Sequence, residues 1–193
     1  MRDADDRAHW NRNWADTDPL AGGPSPVVCA LVEGLDLPDG PVLDVAGGPG
    51  KNAVWLAERA HAVTLVDVSD VALSLATRRA QAHGVSLTTV LADLQFDPFP
   101  AGPWAMVLVS FYLQPAVFGA AATELAPGGR LVVVHPTVDN LRRHAKPSRR
   151  FLLQPGEARR LAEAAGLTVE TYDEGWIGDG DDARHLVRLV ARR

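Results

Sequence analysis

Apolar residues fall along the chain in short valine- and leucine-rich runs separated by alanine-rich amphipathic stretches. The runs at 41–46 (PVLDVA), 62–68 (AVTLVDV), 87–92 (LTTVLA), 104–110 (WAMVLVS) and 130–135 (RLVVVH) are nearly continuous in apolar character. That pattern predicts strands buried on both faces, as in a parallel sheet covered by helices. The intervening stretches predict helices over roughly 50–60, 70–83 and 115–126, the last stopped by Pro127, Gly128 and Gly129. A further helix is predicted over 155–166, with proline in its first turn and glycine at its end, and another over 25–37 ahead of the first strand.

After residue 166 the pattern changes. Two strand-like runs, 167–177 and 183–193, are joined by Gly-Asp-Gly-Asp-Asp, which leaves no room for a crossover helix. They are therefore expected to pair antiparallel. The predicted fold class is α/β: a Rossmann-like seven-stranded sheet of five parallel strands plus a C-terminal antiparallel hairpin, with helices on both faces. The dinucleotide-binding fold differs, because its second half continues with parallel units. Roughly the first 25 residues read as a polar arm whose Trp10 and Trp14 are expected to dock on something.

At 193 residues and 47% hydrophobic composition, the chain supports one good-sized core, so a single domain over 1–193 is expected. A formal charge of −5 argues against a surface that tracks nucleic acid. The single cysteine, Cys29, excludes an internal disulfide framework and supports no cysteine-rich metal site, so no metal is expected. Residues 1–18 are charged and lack an apolar run, and no segment approaches the ~20 apolar residues of a membrane span. A cytoplasmic monomer or homodimer without a membrane partner is the expectation.

Three acids follow three successive predicted strands. Asp44 lies within the first and leads into a loop containing Gly47, Gly48 and Gly50, whose bare backbone can approach a ligand closely. The loop has neither the Lys-Ser/Thr ending of a nucleoside-triphosphate loop nor a GxGxxG spacing. Asp67 ends the second strand, where a carboxylate accepts hydrogen bonds from both hydroxyls of a ribose; the alternative is a helix N-cap, a role Ser69 and Asp70 already fill. Asp93, just past the third strand, can accept from an exocyclic amine such as that of adenine. A cationic ligand carrying a ribose and an adenine satisfies all three acids, whereas a pyrophosphate does not.

On these residues the chain resembles the class I S-adenosylmethionine-dependent methyltransferases. LDVAGGPGKNAVWLAE resembles the family's first motif, VTLVDVS its second and LADLQ its third, and the closing hairpin resembles its sixth and seventh strands. The departure is Ala46, which stands where the family usually has its first glycine and is expected to keep a negative φ. Within the class, HWNRNWA, the block FPAGPWAMVLVSFYLQP and the segment KPSRRFLLQPGEARRLAEAAGL resemble the small tellurite-resistance type. The resemblance implies S-adenosylmethionine as cofactor, held by Trp10, Arg12, Trp14, Asp44, Ala46, Gly47, Gly48, Asp67, Val68, Asp93, Leu94 and Ser110. It also implies that residues 1–25 form a lid and that 136–154 is a substrate-side insertion. SFYLQP stands where a methylase of bases or glutamine amides would carry Asn/Asp-Pro-Pro-aromatic.

The implied reaction is methyl transfer to a small-molecule acceptor, for which positioning and a dry pocket supply most of the acceleration. A soft nucleophile, a thiol or a chalcogen oxyanion, needs no strong base. For an oxygen or nitrogen acceptor the candidate catalytic residues are His135 and Tyr112, although His135 reads equally as a satisfied strand-end histidine. Tyr112, Arg142, Arg143 and His144 are the candidate substrate-binding residues, since guanidinium forks suit an anion; the alternative is a solvated basic loop. A non-catalytic S-adenosylmethionine-binding protein and a nucleotide-dependent oxidoreductase are the other classes weighed. Asp44, the missing GxGxxG and the hairpin disfavour the oxidoreductase.

Overall fold

Residues 4–193 are described by the computed structural model. Helices α1 (Ala4–Trp14) and α2 (Pro26–Val32) precede an alternation of β1 (Val42–Val45), α3 (Lys51–Ala57), β2 (Val63–Asp67), α4 (Asp70–Ala82), β3 (Thr88–Leu91), β4 (Trp104–Ser110), α5 (Ala116–Glu124) and β5 (Leu125–Pro136). Helix α6 (Glu157–Ala164) leads to the strands β6 (Thr168–Ile177) and β7 (Arg184–Arg192). They form one sheet of order β3-β2-β1-β4-β5-β7-β6, in which β7 runs antiparallel to both its neighbours and the other pairs are parallel. The order reverses at β1, so the ends of β1 and β4 open the crevice where ligands bind in sheets of this kind.

Burial on both faces explains the continuous apolar runs. Side chains alternate across the sheet with a period of two. Leu43, Val45, Val107, Val109, Leu131 and Val133 pack under α5 and α6, through Phe118 and Ala162 among others. Val42, Met106, Leu108, Val132 and Val134 face α2, α3 and α4. Each such aliphatic side chain contributes about 1.5–3 kcal/mol by leaving water. At one edge β3 is short and largely exposed.

Three expectations shift. Helix α2 ends at Val32, because Glu33 leaves helical backbone with ψ 121°. Strand β5 begins at Leu125, where the Pro-Gly-Gly run follows β4 through an irregular register beside Trp104 instead of forming a loop. The polar arm contains a helix. Its eleven residues are too polar and too short to be stable alone, and side chains tie it down: Arg7 Nε donates to the Val68 carbonyl at 3.1 Å, Asn11 donates to Asp70 at 2.9 Å, and Ser69 donates to Asn11 at 2.7 Å. The connector behind it is held by the buried Arg79 of α4, which donates to the carbonyls of Ala21 and Gly22 at 2.7 and 3.0 Å. No helix among the described residues is long and apolar enough to cross a membrane.

Candidate active site

The carboxyl ends of β1 to β4 and the underside of α1 enclose a cavity of about 560 Å³, within the usual range for small-molecule sites. Its floor is the loop after β1. Ala46 there has φ 52°, in the left-handed region, contrary to the negative φ expected of it. The turn must leave β1 sharply, and alanine bears a conformational cost of roughly 1–2 kcal/mol that glycine avoids. Gly48 has φ +55° and lies under the Trp14 ring.

The three acids are not equivalent. Asp67 Oδ2 accepts from the Gly48 amide and Oδ1 from the Ser69 amide, each at 2.9 Å. Burial pushes this carboxyl up, while the two amides pull it down and fix its orientation. Each oxygen retains a lone pair for a ligand hydroxyl. Asp93 lines the cavity with one oxygen accepting from the Gln95 amide at 3.0 Å. Asp44 lies beneath the loop instead of at its mouth: it is 1% exposed, is absent from the cavity wall, and a Cβ on Gly47 would stand 2.7 Å from its Oδ2. Neither of its oxygens meets a donor at hydrogen-bond geometry among the described residues. Burial, and then the Asp67 charge, push its pKa up to about 7, with the Ala53 amide offsetting part of the shift. An unpaired carboxyl under a glycine cradle, beside two carboxylate acceptors, fits a ligand with hydroxyls, an amine and positive charge.

Helix α1 supplies the roof. Asp6, Trp10 and Trp14, spaced four apart and therefore on one face, all line the cavity. The two indoles stack with centroids 6.1 Å apart, and Gln95 Nε2 donates to Asp6 at 2.8 Å. Arg12 is exposed and does not reach the cavity. Ala46, Gly47, Gly48, Val68, Leu94, Ser110 and Tyr112 do line it. So do residues the sequence reading missed: Asp6, Ser25, Lys51, Asn52 and Phe111. Asn52 accepts from the Ser25 amide at 2.9 Å and donates to Ser110 Oγ at 3.3 Å, bracing one wall. Phe111 is 55% exposed with φ 57°, a strained conformation for a bulky residue.

Residues 42–129 match the family model of a methyltransferase domain. Over that span the chain is similar to methyltransferase domains. It is 36% identical over 100 residues to the demethylmenaquinone methyltransferase of Thermus thermophilus, covering 48% of this chain and 46% of that one. The chain thus spans about half the length of the curated relatives it matches. Among solved structures it superposes with TM-score 0.75 on one from work on the conversion of a disulfide bond into a thioacetal group during echinomycin biosynthesis, at 22% identity over 97% of this chain and 91% of that one. It superposes with TM-score 0.68 on TehB from Haemophilus influenzae, at 16% identity over 86% and 61%. Both likenesses are of the fold.

His135, Arg142, Arg143 and His144 are not among the residues that line the cavity. His135 is 3% exposed, donates from Nε2 to the Phe151 carbonyl at 2.8 Å, and is kept below the usual histidine range by burial. In the basic segment Arg143 and His144 turn to the β6–β7 hairpin, and Arg142 stays by its own turn. Arg142 lies 3.8 Å from Asp139, the Arg143 guanidinium covers the Trp176 ring at 4.1 Å, and His144 bonds the Ala183 carbonyl at 2.6 Å. Tyr112 does reach the cavity, donating its hydroxyl to Gln114. Burial first, then the charges of Asp93, Asp6 and Asp67, push its pKa up to about 12.

Proposed function

We propose that this protein transfers the methyl group of S-adenosylmethionine to a small-molecule soft nucleophile, a thiol or a reduced chalcogen oxyanion. The observation that carries the reading is the cavity itself, which joins the carboxylates of Asp67 and Asp93 to a glycine floor under an aromatic roof. Asp67 would hold the ribose and Asp93 the adenine, while the Asp44 carboxyl beneath the loop favours a cation above it. When bound, the cofactor supplies an electrophilic methyl: the acceptor–carbon bond forms as the sulfur–carbon bond breaks, leaving S-adenosylhomocysteine.

A soft acceptor suits the wall formed by Ser110, Phe111 and Tyr112. Tyr112 stays a phenol at neutral pH, and no histidine lines the cavity among the described residues. A thiol needs little help, because an appreciable thiolate fraction already exists near pH 7. Of the two acceptors the thiol fits better, since Arg142, Arg143 and His144 do not line the cavity. In this reading α1 serves as the lid that keeps the chamber dry.

The test is a turnover screen with S-adenosylmethionine against small thiols, selenite, tellurite and phenols, following S-adenosylhomocysteine release. Thiols are expected to turn over fastest. Turnover confined to phenols overturns the soft-acceptor reading, and no turnover with any acceptor, despite cofactor binding, favours a binding protein.

A further inference from the structure

Lys51 opens α3 immediately after the glycine loop, is half-buried, and lines the cavity. Its Nζ lies against the arm's connector: a Cβ built on Gly22 would stand 2.7 Å from it, so the glycine, at φ +66°, leaves the space that the lysine occupies. The ammonium has no hydrogen bond or ion pair among the described residues. The other charged residues of the cavity wall, Asp6, Asp67 and Asp93, are all acids. An ammonium placed in a cavity wall whose other charges are acids is the group there that suits an anion.

S-adenosylmethionine presents hydroxyls, an exocyclic amine, a sulfonium and an ammonium, all of which suit carboxylates, and a single anionic group, the carboxylate of its methionine moiety. The sheet order sets the direction. Asp93 follows β3 and Asp67 ends β2, so a nucleoside held by them lies on that side, and the amino-acid moiety extends toward the ends of β1 and β4. Lys51, Asn52, Ser25 and Ser110 stand there, with Asn52 fixing the wall through its two hydrogen bonds. We infer that Lys51 is the cofactor-binding cation that meets the methionine carboxylate, an inference that rests on the S-adenosylmethionine reading above.

Two thioethers separate this contact from the rest of the site: S-adenosylhomocysteine, which has the amino-acid moiety, and 5′-methylthioadenosine, which lacks it. Titration calorimetry of the full chain and of Lys51→Met is expected to show S-adenosylhomocysteine weakened roughly 10- to 100-fold, the loss of a charge-assisted bond. Binding of 5′-methylthioadenosine should stay within twofold, and Lys51→Arg should recover most of the loss. Equal weakening of both ligands makes Lys51 a support of the loop and overturns the inference, as does unchanged S-adenosylhomocysteine affinity. Wild-type protein that binds neither thioether overturns the S-adenosylmethionine reading itself.

Discussion

The indole of Trp14 rests on Gly48: a side-chain carbon placed on that glycine would stand 3.3 Å from Cζ2 of the ring. Roof and floor of the cavity are thus in contact, although they stand 34 positions apart in the chain. Gly48→Ala must both hold alanine at φ +55° and push against the ring. The expected cost is about 1–2 kcal/mol of stability, with Trp14 displaced toward water. Tryptophan emission should shift to the red and acrylamide quenching increase; spectra identical to wild type would contradict the contact.

Asn11 is the pin of the arm, sharing hydrogen bonds with Ser69 and Asp70 at the start of α4. Asn11→Ala removes both and leaves a helix too polar to persist unaided. Limited proteolysis should cut the variant between residues 4 and 20 well before wild type, with the melting temperature of the sheet changed by only a few degrees. Equal cleavage rates would show that Asp6, Arg7 and the tryptophans hold the helix without Asn11.

Asp44 gives the ligand-free protein a dependence on pH opposite to that of a salt-bridged carboxylate. Its folded-state pKa is raised from 3.8 to about 7, so the protonated form is the one that favours folding. That contribution is complete below about pH 4 and is lost as the pH rises toward 7 and beyond. Asp44→Asn, which cannot ionise, should match wild type in melting temperature near pH 4 and exceed it at pH 8. Parallel profiles for the two proteins would mean that Asp44 is solvated or paired.

Ala46 holds a left-handed backbone with a side chain attached. Ala46→Gly should raise stability by up to about 1 kcal/mol, the relief of strain being partly cancelled by the freer unfolded chain. Ala46→Val, β-branched in the same conformation, should lower it by more than that. Denaturant midpoints measured at constant slope decide the matter.

The strands were readable because burial on both faces writes itself as uninterrupted valine and leucine, and the hairpin because Gly178 to Asp182 is too short for a crossover helix. Asp67 and Asp93 were readable because each ends or follows a strand at the ligand edge. The arm hid its helix, since polar residues surround it and only the spacing of Asp6, Trp10 and Trp14 shows its inner face. Lys51 was not legible because, without the Lys-Ser/Thr ending of a phosphate loop, nothing adjacent in sequence gives it a use, and its position depends on the connector at Gly22 folding back. For His135 and the cations at 142–144, sequence fixes the strand that holds or precedes them and not the direction they turn. Phe151, Trp176 and Ala183, which receive them, lie far along the chain or in the hairpin.

Among the described residues, those that line the cavity all fall between Asp6 and Tyr112. During synthesis the whole ligand-facing wall therefore leaves the ribosome before any of β5 to β7. The inner edge of β4 then carries unpaired amides and carbonyls until β5 arrives, and β5 in turn waits for β7, which follows it by some fifty residues. A nascent chain paused in this interval exposes an apolar, unpaired strand edge of the kind that templates aggregation. The antiparallel strand that threads between β5 and β6, distant from all the chemistry, thus decides when that edge is covered.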